Sequence, residues 1–293
     1  MLTARLGGWT LRTLDAGFVW LDGGAMFGSV PKPLWSRLIP PDERNRIRLS
    51  LRCLLLEGHG RRVLVDDGIG DKSPPRFADI YGVDSAGPAL ERPLAALGLR
   101  PEDVTDVLLT HLHFDHAGGS TRRVGGQLVP AFPAARFHVQ ARNLANARDP
   151  NPRERASYLV ENFEPLVRAG VLDTWDGALA PWPGIELLRF DGHTIGQQAV
   201  RIAGPEGVVY YVADLVPMAP HVRVPYVMGY DVSALVAMGE KRALLARAAA
   251  ERAWIVLEHD PAVVAARPRV DGDDFDWEER LGPEAVTLPG PGH

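Results

Sequence analysis

The chain has 293 residues, 46% of them hydrophobic and 24% charged, with a formal net charge of −5. That composition can bury one large core, and it holds no run near the roughly 18 to 20 apolar residues that cross a bilayer and no basic block of the kind that grips a phosphate backbone. The lone cysteine, Cys53, leaves no internal disulfide, and no basic-then-apolar leader shows at the start, so the expectation is a cytoplasmic protein that binds neither nucleic acid nor membrane.

Trp9 to Leu14, Leu51 to Glu57 and Val63 to Asp66 read as antiparallel strands, the last two joined by the turn Gly58-His59-Gly60. Cys53 lies in the second and reads as a small core residue. Between the first two strands, residues 18–48 scatter Phe18, Trp20, Met26, Phe27, Trp35 and Leu38 among glycines, prolines and charges with no clean period. So apolar a stretch must cover something: more core, a lid over the site, or a dimer arm. Phe27 and Trp35 are its candidate substrate contacts.

Leu90 to Leu99 reads as a short helix, with Gly98 near its end and Pro101 beyond. Val104 to Thr110 is an apolar strand, and it feeds His111-Leu112-His113-Phe114-Asp115-His116-Ala117-Gly118-Gly119. A helix would spread these imidazoles and the carboxylate around its face, and a strand would alternate them between two faces. A tight turn closed by Gly118 and Gly119 can aim His111, His113, Asp115 and His116 at one point. Imidazole with carboxylate suits zinc first, with manganese, iron and cobalt also suited. The cluster holds more ligands than one catalytic metal needs with a position open for water, so the spacing suggests two adjacent ions.

Phe137 to Gln140 reads as a strand, followed by helices over Ala141–Asp149 and Arg153–Ala169. Strands recur at Ile185–Phe190, Gln198–Ile202 and Val208–Ala213. A long helix runs from Ser233 to about Arg252, and Trp254–Glu258 is the closing strand. His193, Asp214 and His259 each sit just past the end of one of these apolar runs, where a sheet presents loop residues along one rim. Residues 220–230 form a second wall beside Asp214, with His221 and Tyr226 as candidate substrate contacts. No linker or repeat divides the chain, so residues 1–293 read as one domain, and the Pro/Gly-rich stretch 282–293 reads as a loose tail.

The His111-to-His116 motif, Asp191-Gly192-His193-Thr194 with Gly196, Asp214 and His259 resemble the metallo-β-lactamase superfamily, over about residues 50 to 260. Val65-Asp66-Asp67-Gly68 is similar to its early strand-end element, with Asp67 where Thr is more usual. Residues 26–72 and 162–170 resemble the branch of methyl parathion hydrolases and acyl-homoserine lactone lactonases. The resemblance implies an αβ/βα sandwich, two mixed β-sheets flanked by helices. It implies that His111, His113 and His193 hold a first divalent metal, that Asp115, His116 and His259 hold a second, and that Asp214 bridges them.

On that footing a hydroxide between the metals would attack an ester, lactone or phosphotriester of a small, fairly apolar substrate, with Asp115 also passing a proton to the leaving group. Asp66 reads either as a strand-end turn residue or as the acceptor that fixes a histidine tautomer. The lactonases place a tyrosine three residues after the bridging aspartate, and Pro217 stands there in this chain. Within the superfamily, the intact bridging Asp214 and the lack of an export signal argue against a true β-lactamase. The short stretch after His259 argues against a glyoxalase II-type thioesterase. A mononuclear iron persulfide dioxygenase and a non-catalytic metal-dependent scaffold remain as alternatives.

Overall fold

The computed structural model describes residues 1–83 and 89–288. The strands are β1 (Thr3–Leu6), β2 (Trp9–Asp22), β3 (Arg46–Gly58), β4 (Arg61–Val65), β5 (Asp106–Leu108), the hairpin β6 (Thr121–Val124) and β7 (Gln127–Pro130), β8 (Arg136–Gln140) and β9 (Leu172–Trp175). A second group follows: β10 (Leu179–Trp182), β11 (Ile185–Phe190), β12 (Gln197–Gly204), β13 (Gly207–Tyr211), β14 (Trp254–Val256), β15 (Ala265–Asp271) and β16 (Asp274–Leu281). The α-helices are α1 (Gly23–Phe27), α2 (Lys32–Trp35), α3 (Pro75–Tyr81), α4 (Glu91–Ala96), α5 (Phe114–Ala117), α6 (Ala141–Arg148), α7 (Val160–Arg168) and α8 (Ala234–Ala250).

Two seven-stranded sheets result, in the orders β1-β2-β3-β4-β5-β8-β9 and β10-β11-β12-β13-β14-β15-β16. Leu11, Leu54 and Val65 of the first sheet meet Val200, Val209 and Tyr211 of the second in one buried core, so the sheets pack face to face. A second core lies on the outer face of the first sheet, where Leu94 of α4 and Phe163 of α7 pack with Leu55 and Phe137. A third lies between the second sheet and Leu244, Leu245 and Ala248 of α8. This is the αβ/βα sandwich that the resemblance implied. Cys53 is buried in the second of these cores. Among the described residues no helix is long and apolar enough to cross a membrane.

Strand direction positions the site. The β4, β5, β8 and β9 strands run parallel, as do β13 and β14, so their carboxyl ends share a rim. In mixed sheets of this kind, loops beyond the carboxyl ends of the strands carry the binding groups. Backbone bonds tie the two rims together: Ser50 N–H donates to the His259 carbonyl at 3.0 Å, and Gln198 N–H donates to Thr110 at 2.8 Å.

Several expectations need correction. The β2 strand does not end at Leu14; it runs through a register shift between Asp15 and Phe18 to Asp22, so most of residues 18–48 is strand and short helix. Met26, Phe27 and Trp35 are fully buried in the core. The helix expected from Arg153 starts at Val160, because Tyr158 leaves helical geometry to form an isolated β-bridge with His113. Hairpin β15–β16 follows the strand that was expected to close the fold. In the segment read as a loose tail, Thr3 donates to the Val286 carbonyl and Leu288 donates to Thr3, each at 3.0 Å. Residues 289–293 of that segment lie outside the described residues.

Candidate metal centre

The residues from Thr110 to Gly119 leave β5 and fold back at once, because Gly118 and Gly119 lie against the backbone of residues 67–69 where a Cβ has no room. Asp67 N–H donates to the His116 carbonyl at 2.9 Å and Gly119 N–H to the Gly68 carbonyl at 3.1 Å, so the two loops are laced side by side. Asn143 of α6 pins the motif to the next ligand loop. Its Oδ1 accepts Leu112 N–H and its Nδ2 donates to the Ile195 carbonyl, both at 2.9 Å.

The seven predicted ligands converge. His111 Nε2 lies 3.0 Å from His113 Nδ1, which lies 3.2 Å from His193 Nε2. Asp214 Oδ2 is 3.0 Å from His193 Nε2 and 3.8 Å from His111 Nε2. On the other side, Asp214 Oδ1 is 2.9 Å from His259 Nε2, which lies 3.3 Å from His116 Nε2. Asp115 closes that side, with Oδ1 3.9 Å from His116 Nε2 and Oδ2 3.9 Å from His259 Nε2. Two ligand groups therefore share one carboxylate: His111, His113, His193 and Asp214 in the first, Asp115, His116 and His259 in the second. Ala213, with φ of +46°, holds a left-handed conformation that turns Asp214 off the end of β13.

The back of each ring decides which nitrogen faces inward. His193 Nδ1 is 2.9 Å from Asp231 Oδ1, and His259 Nδ1 is 2.9 Å from the Ser50 carbonyl. His111 Nδ1 is 3.1 Å from Thr110 Oγ1, whose hydroxyl donates to Asp66 Oδ2 at 2.7 Å. His116 Nδ1 faces Asp66 Oδ2 at 3.1 Å and Glu258 Oε1 at 3.2 Å. Asp66 thus backs two ligands, and with φ of +55° it also makes the sharp exit from β4. His113 is reversed: its Nδ1 faces the cluster and its Nε2 faces Glu154 at 3.7 Å. The acceptors behind His111, His116, His193 and His259 face the outer ring nitrogens and leave the inward ones for a cation, while His113 Nε2 is buried without a hydrogen-bond partner.

Charge supports the same reading. Burial pushes His111 well down and His113 down, which favours their neutral forms. Burial opposes charge on His193 and His259 too, but Asp214 outweighs it and holds them up at about 10 and about 9. Burial likewise opposes the charge on Asp214, and the surrounding imidazoles override it and hold the carboxyl well below its usual range. Asp214 Oδ1, buried, accepts no hydrogen bond. A carboxylate placed to draw cationic charge, amid imidazoles whose lone pairs converge, fits divalent metals with nitrogen and oxygen ligands.

A cavity of about 120 Å³ opens onto the cluster, with Leu21, Met26, Leu49, Phe114 and Met228 as its apolar wall. The four sequence candidates for substrate contact do not line it. Trp35 stacks on Phe27 at 5.4 Å between ring centroids, Phe27 stacks on His221 at 4.8 Å, and Tyr226 meets Phe27 edge-on at 6.3 Å. His221, kept neutral by burial, donates from Nε2 to the Met26 carbonyl at 2.8 Å. The stack braces the wall from behind. Pro217 is not among the lining residues either, and its carbonyl accepts His259 N–H at 3.1 Å. Sequence reasoning missed Asp231, Glu154, Glu258 and the cavity tyrosine Tyr81, whereas Tyr230, expected in the second wall over residues 220–230, does line the cavity. Glu258, next to His259, is the one with a visible signal: an acidic residue at the end of a buried strand.

The family model for the Metallo-beta-lactamase superfamily matches residues 50–259, and the chain belongs to that family. It is 28% identical over 167 residues to an N-acyl homoserine lactonase of Bacillus cereus, covering 54% of this chain and 60% of that one. It is 30% identical over 208 residues to a probable metallo-hydrolase of Mycobacterium tuberculosis, covering 63% and 64%. The matches therefore span less than two thirds of these relatives. A probable metal-dependent hydrolase from Staphylococcus aureus superposes with a TM-score of 0.87 at 28% identity, over 96% of this chain and 99% of the other. AidC, described as a dizinc quorum-quenching lactonase, shares the fold with a TM-score of 0.75 at 20% identity, over 94% and 95%.

Proposed function

We propose that the chain is a dinuclear metal-dependent hydrolase that cleaves an ester, lactone or phosphotriester bond in a small, fairly apolar substrate. One observation carries this reading: Asp214 stands between the two ligand groups, Oδ2 3.0 Å from His193 Nε2 and Oδ1 2.9 Å from His259 Nε2, beside a cavity with an apolar wall. His111, His113 and His193 would hold one divalent ion and Asp115, His116 and His259 a second, zinc first among the candidates, and such ions would supply an acidified water and an electrophile for the substrate oxygen.

The chain's own residues do the rest. The apolar wall excludes bulk water and favours an acyl or aryl group over a highly charged one. Asp115 borders the cavity, so its carboxylate oxygens can accept a proton there and hand it to the departing oxygen. The backing acceptors Asp66, Asp231 and the Ser50 carbonyl hold the rings in one orientation throughout the reaction. The N-acyl homoserine lactonases among the relatives make a lactone the first substrate to try.

The test is turnover of p-nitrophenyl acetate, a phosphotriester and an N-acyl homoserine lactone after loading with zinc, manganese or cobalt, with metal content measured on the same sample. Hydrolysis of at least one, with two ions per chain, is expected. Full occupancy without turnover of any of them would instead indicate a ligand-binding scaffold.

A further inference from the structure

Two phenols, Tyr81 from the end of α3 and Tyr230 from the loop before α8, line the cavity beside Asp115. Each is held by its surroundings. The Tyr81 ring packs at 4.4 Å from Phe77 and 4.9 Å from Phe114, and Phe114 precedes Asp115 in the motif. Tyr230 sits between two anchored neighbours. Gly229 donates to the Ala25 carbonyl at 2.7 Å and accepts from Arg153, while Asp231 holds His193. The segment that carries Tyr230 is thus tied to the ligand set itself.

Among the described residues no protein group accepts a hydrogen bond from either hydroxyl. Burial, reinforced by the nearby Asp115 charge, raises both phenols above their usual range, so they are donors at neutral pH. Both side chains border the same cavity of about 120 Å³, so one bound substrate can meet both. A substrate that fills this space strips the phenols of water, and the full desolvation cost falls on any donor left without an acceptor. A carbonyl or phosphoryl oxygen has two lone pairs and accepts both.

We propose that Tyr81 and Tyr230 donate to the oxygen of the attacked carbonyl or phosphoryl centre and thereby select neutral acyl or phosphoryl substrates. This rests on the hydrolase reading above. Donors aimed at the oxygen that gains negative charge act mainly on the transition state. Their removal should therefore lower kcat more than it raises KM.

The experiment uses the full chain, loaded with zinc or manganese, as wild type, Tyr81→Phe, Tyr230→Phe and the double variant. Metal content is measured for each. Two readouts are taken: kcat and KM on the best ester or lactone substrate, and the Kd of hexyl methylphosphonate, a tetrahedral mimic, by calorimetry. Each single variant should lose about 10- to 100-fold in kcat with KM changed less than about threefold. Affinity for the phosphonate should fall at least about fivefold.

Variants with wild-type kcat and Kd overturn the proposal while leaving the hydrolase reading intact. So does a wild type that fails to bind the phosphonate, or a Tyr→Phe variant that loses metal, which assigns the phenol a structural role. Tyrosine-dependent phosphonate binding without turnover of any substrate overturns the hydrolase reading and retains the phenol contacts.

Discussion

Asp231 holds His193 with one oxygen and the cavity wall with the other: Oδ1 lies 2.9 Å from His193 Nδ1, and Oδ2 accepts the Met228 N–H at 2.9 Å. The carboxylate fixes the tautomer that turns His193 Nε2 inward, and the same group sets where Met228 and Tyr230 stand. Asp231→Ala should therefore weaken metal binding by roughly 10- to 100-fold, the usual effect of losing a partner behind a metal-ligating histidine. Chelator competition measures this, with circular dichroism confirming the fold. A folded variant with unchanged metal affinity would contradict the role.

Metal removal should silence the protein without unfolding it. The main apolar cores, around Leu55 and Phe137 and around Leu11 and Val209, are built without the ligand side chains. Chelation should abolish turnover while the far-ultraviolet spectrum persists. Restoring metal at about 100 times its Kd adds about 2.7 kcal/mol of stability. For a chain of this size that raises Tm by about 4 °C. His111→Ala should lose most of this rise, which differential scanning calorimetry reads directly.

The ligands were legible in the sequence because chemistry and periodicity coincide there. His111, His193, Asp214 and His259 each follow an apolar run, and the strands they follow do end on one rim. Of the groups behind them, Asp66 was legible at the end of its strand and Glu258 in part, beside His259; Asp231 and Glu154 were not. Asp231 and Glu154 come from a loop and a 3-10 approach, with no spacing that links them to the rings they face. Phe27 and Trp35 read as cavity wall because bulky residues among glycines and prolines look like a loop. The bulge after Asp15 instead lets β2 continue and carries them into the core. Strands such as Leu179–Trp182, only 4 residues long, and Ala265–Asp271, broken by Arg267 and Pro268, show no alternation that a period of two would reveal.

Gly119 is fixed by its neighbours rather than by its dihedral angles. A Cβ there would drive into the Asp67 carbonyl and lie 3.1 Å from Asp67 Oδ1, a buried carboxylate that accepts from Ser120. Gly119→Ala must push the motif loop off residues 66–70, which carry Asp66, the acceptor behind His116 and Thr110. A loss of about 1 to 3 kcal/mol is expected from the overpacking, together with weaker metal binding because His116 loses its register with Asp66. Urea unfolding of the metal-free protein separates the first effect from the second, and a variant of wild-type stability would refute the tight approach.

Lys241 of α8 is buried beneath the cavity wall, donating from Nζ to the Arg223 carbonyl at 3.0 Å and the Tyr226 carbonyl at 2.6 Å. Burial pushes its pKa down to about 7, with Asp231 and Asp274 opposing only in part. A neutral amine has two N–H bonds, which match the two carbonyls. The unfolded chain takes up a proton near pH 10.4, whereas the folded chain does so only near 7. Stability contributed by this residue is therefore lost as pH falls from about 10 toward 7, at up to about 1.4 kcal/mol per unit, and is constant below. Lys241→Met removes that dependence along with the two hydrogen bonds, whose loss is a pH-independent offset. Urea unfolding of both proteins from pH 6 to 9.5 should show wild type gaining on the variant by at least about 2 kcal/mol between pH 7 and 9. A flat difference across that range would mean that the ammonium keeps its charge beneath the wall, and the pairing with Arg223 and Tyr226 would then need a third acceptor.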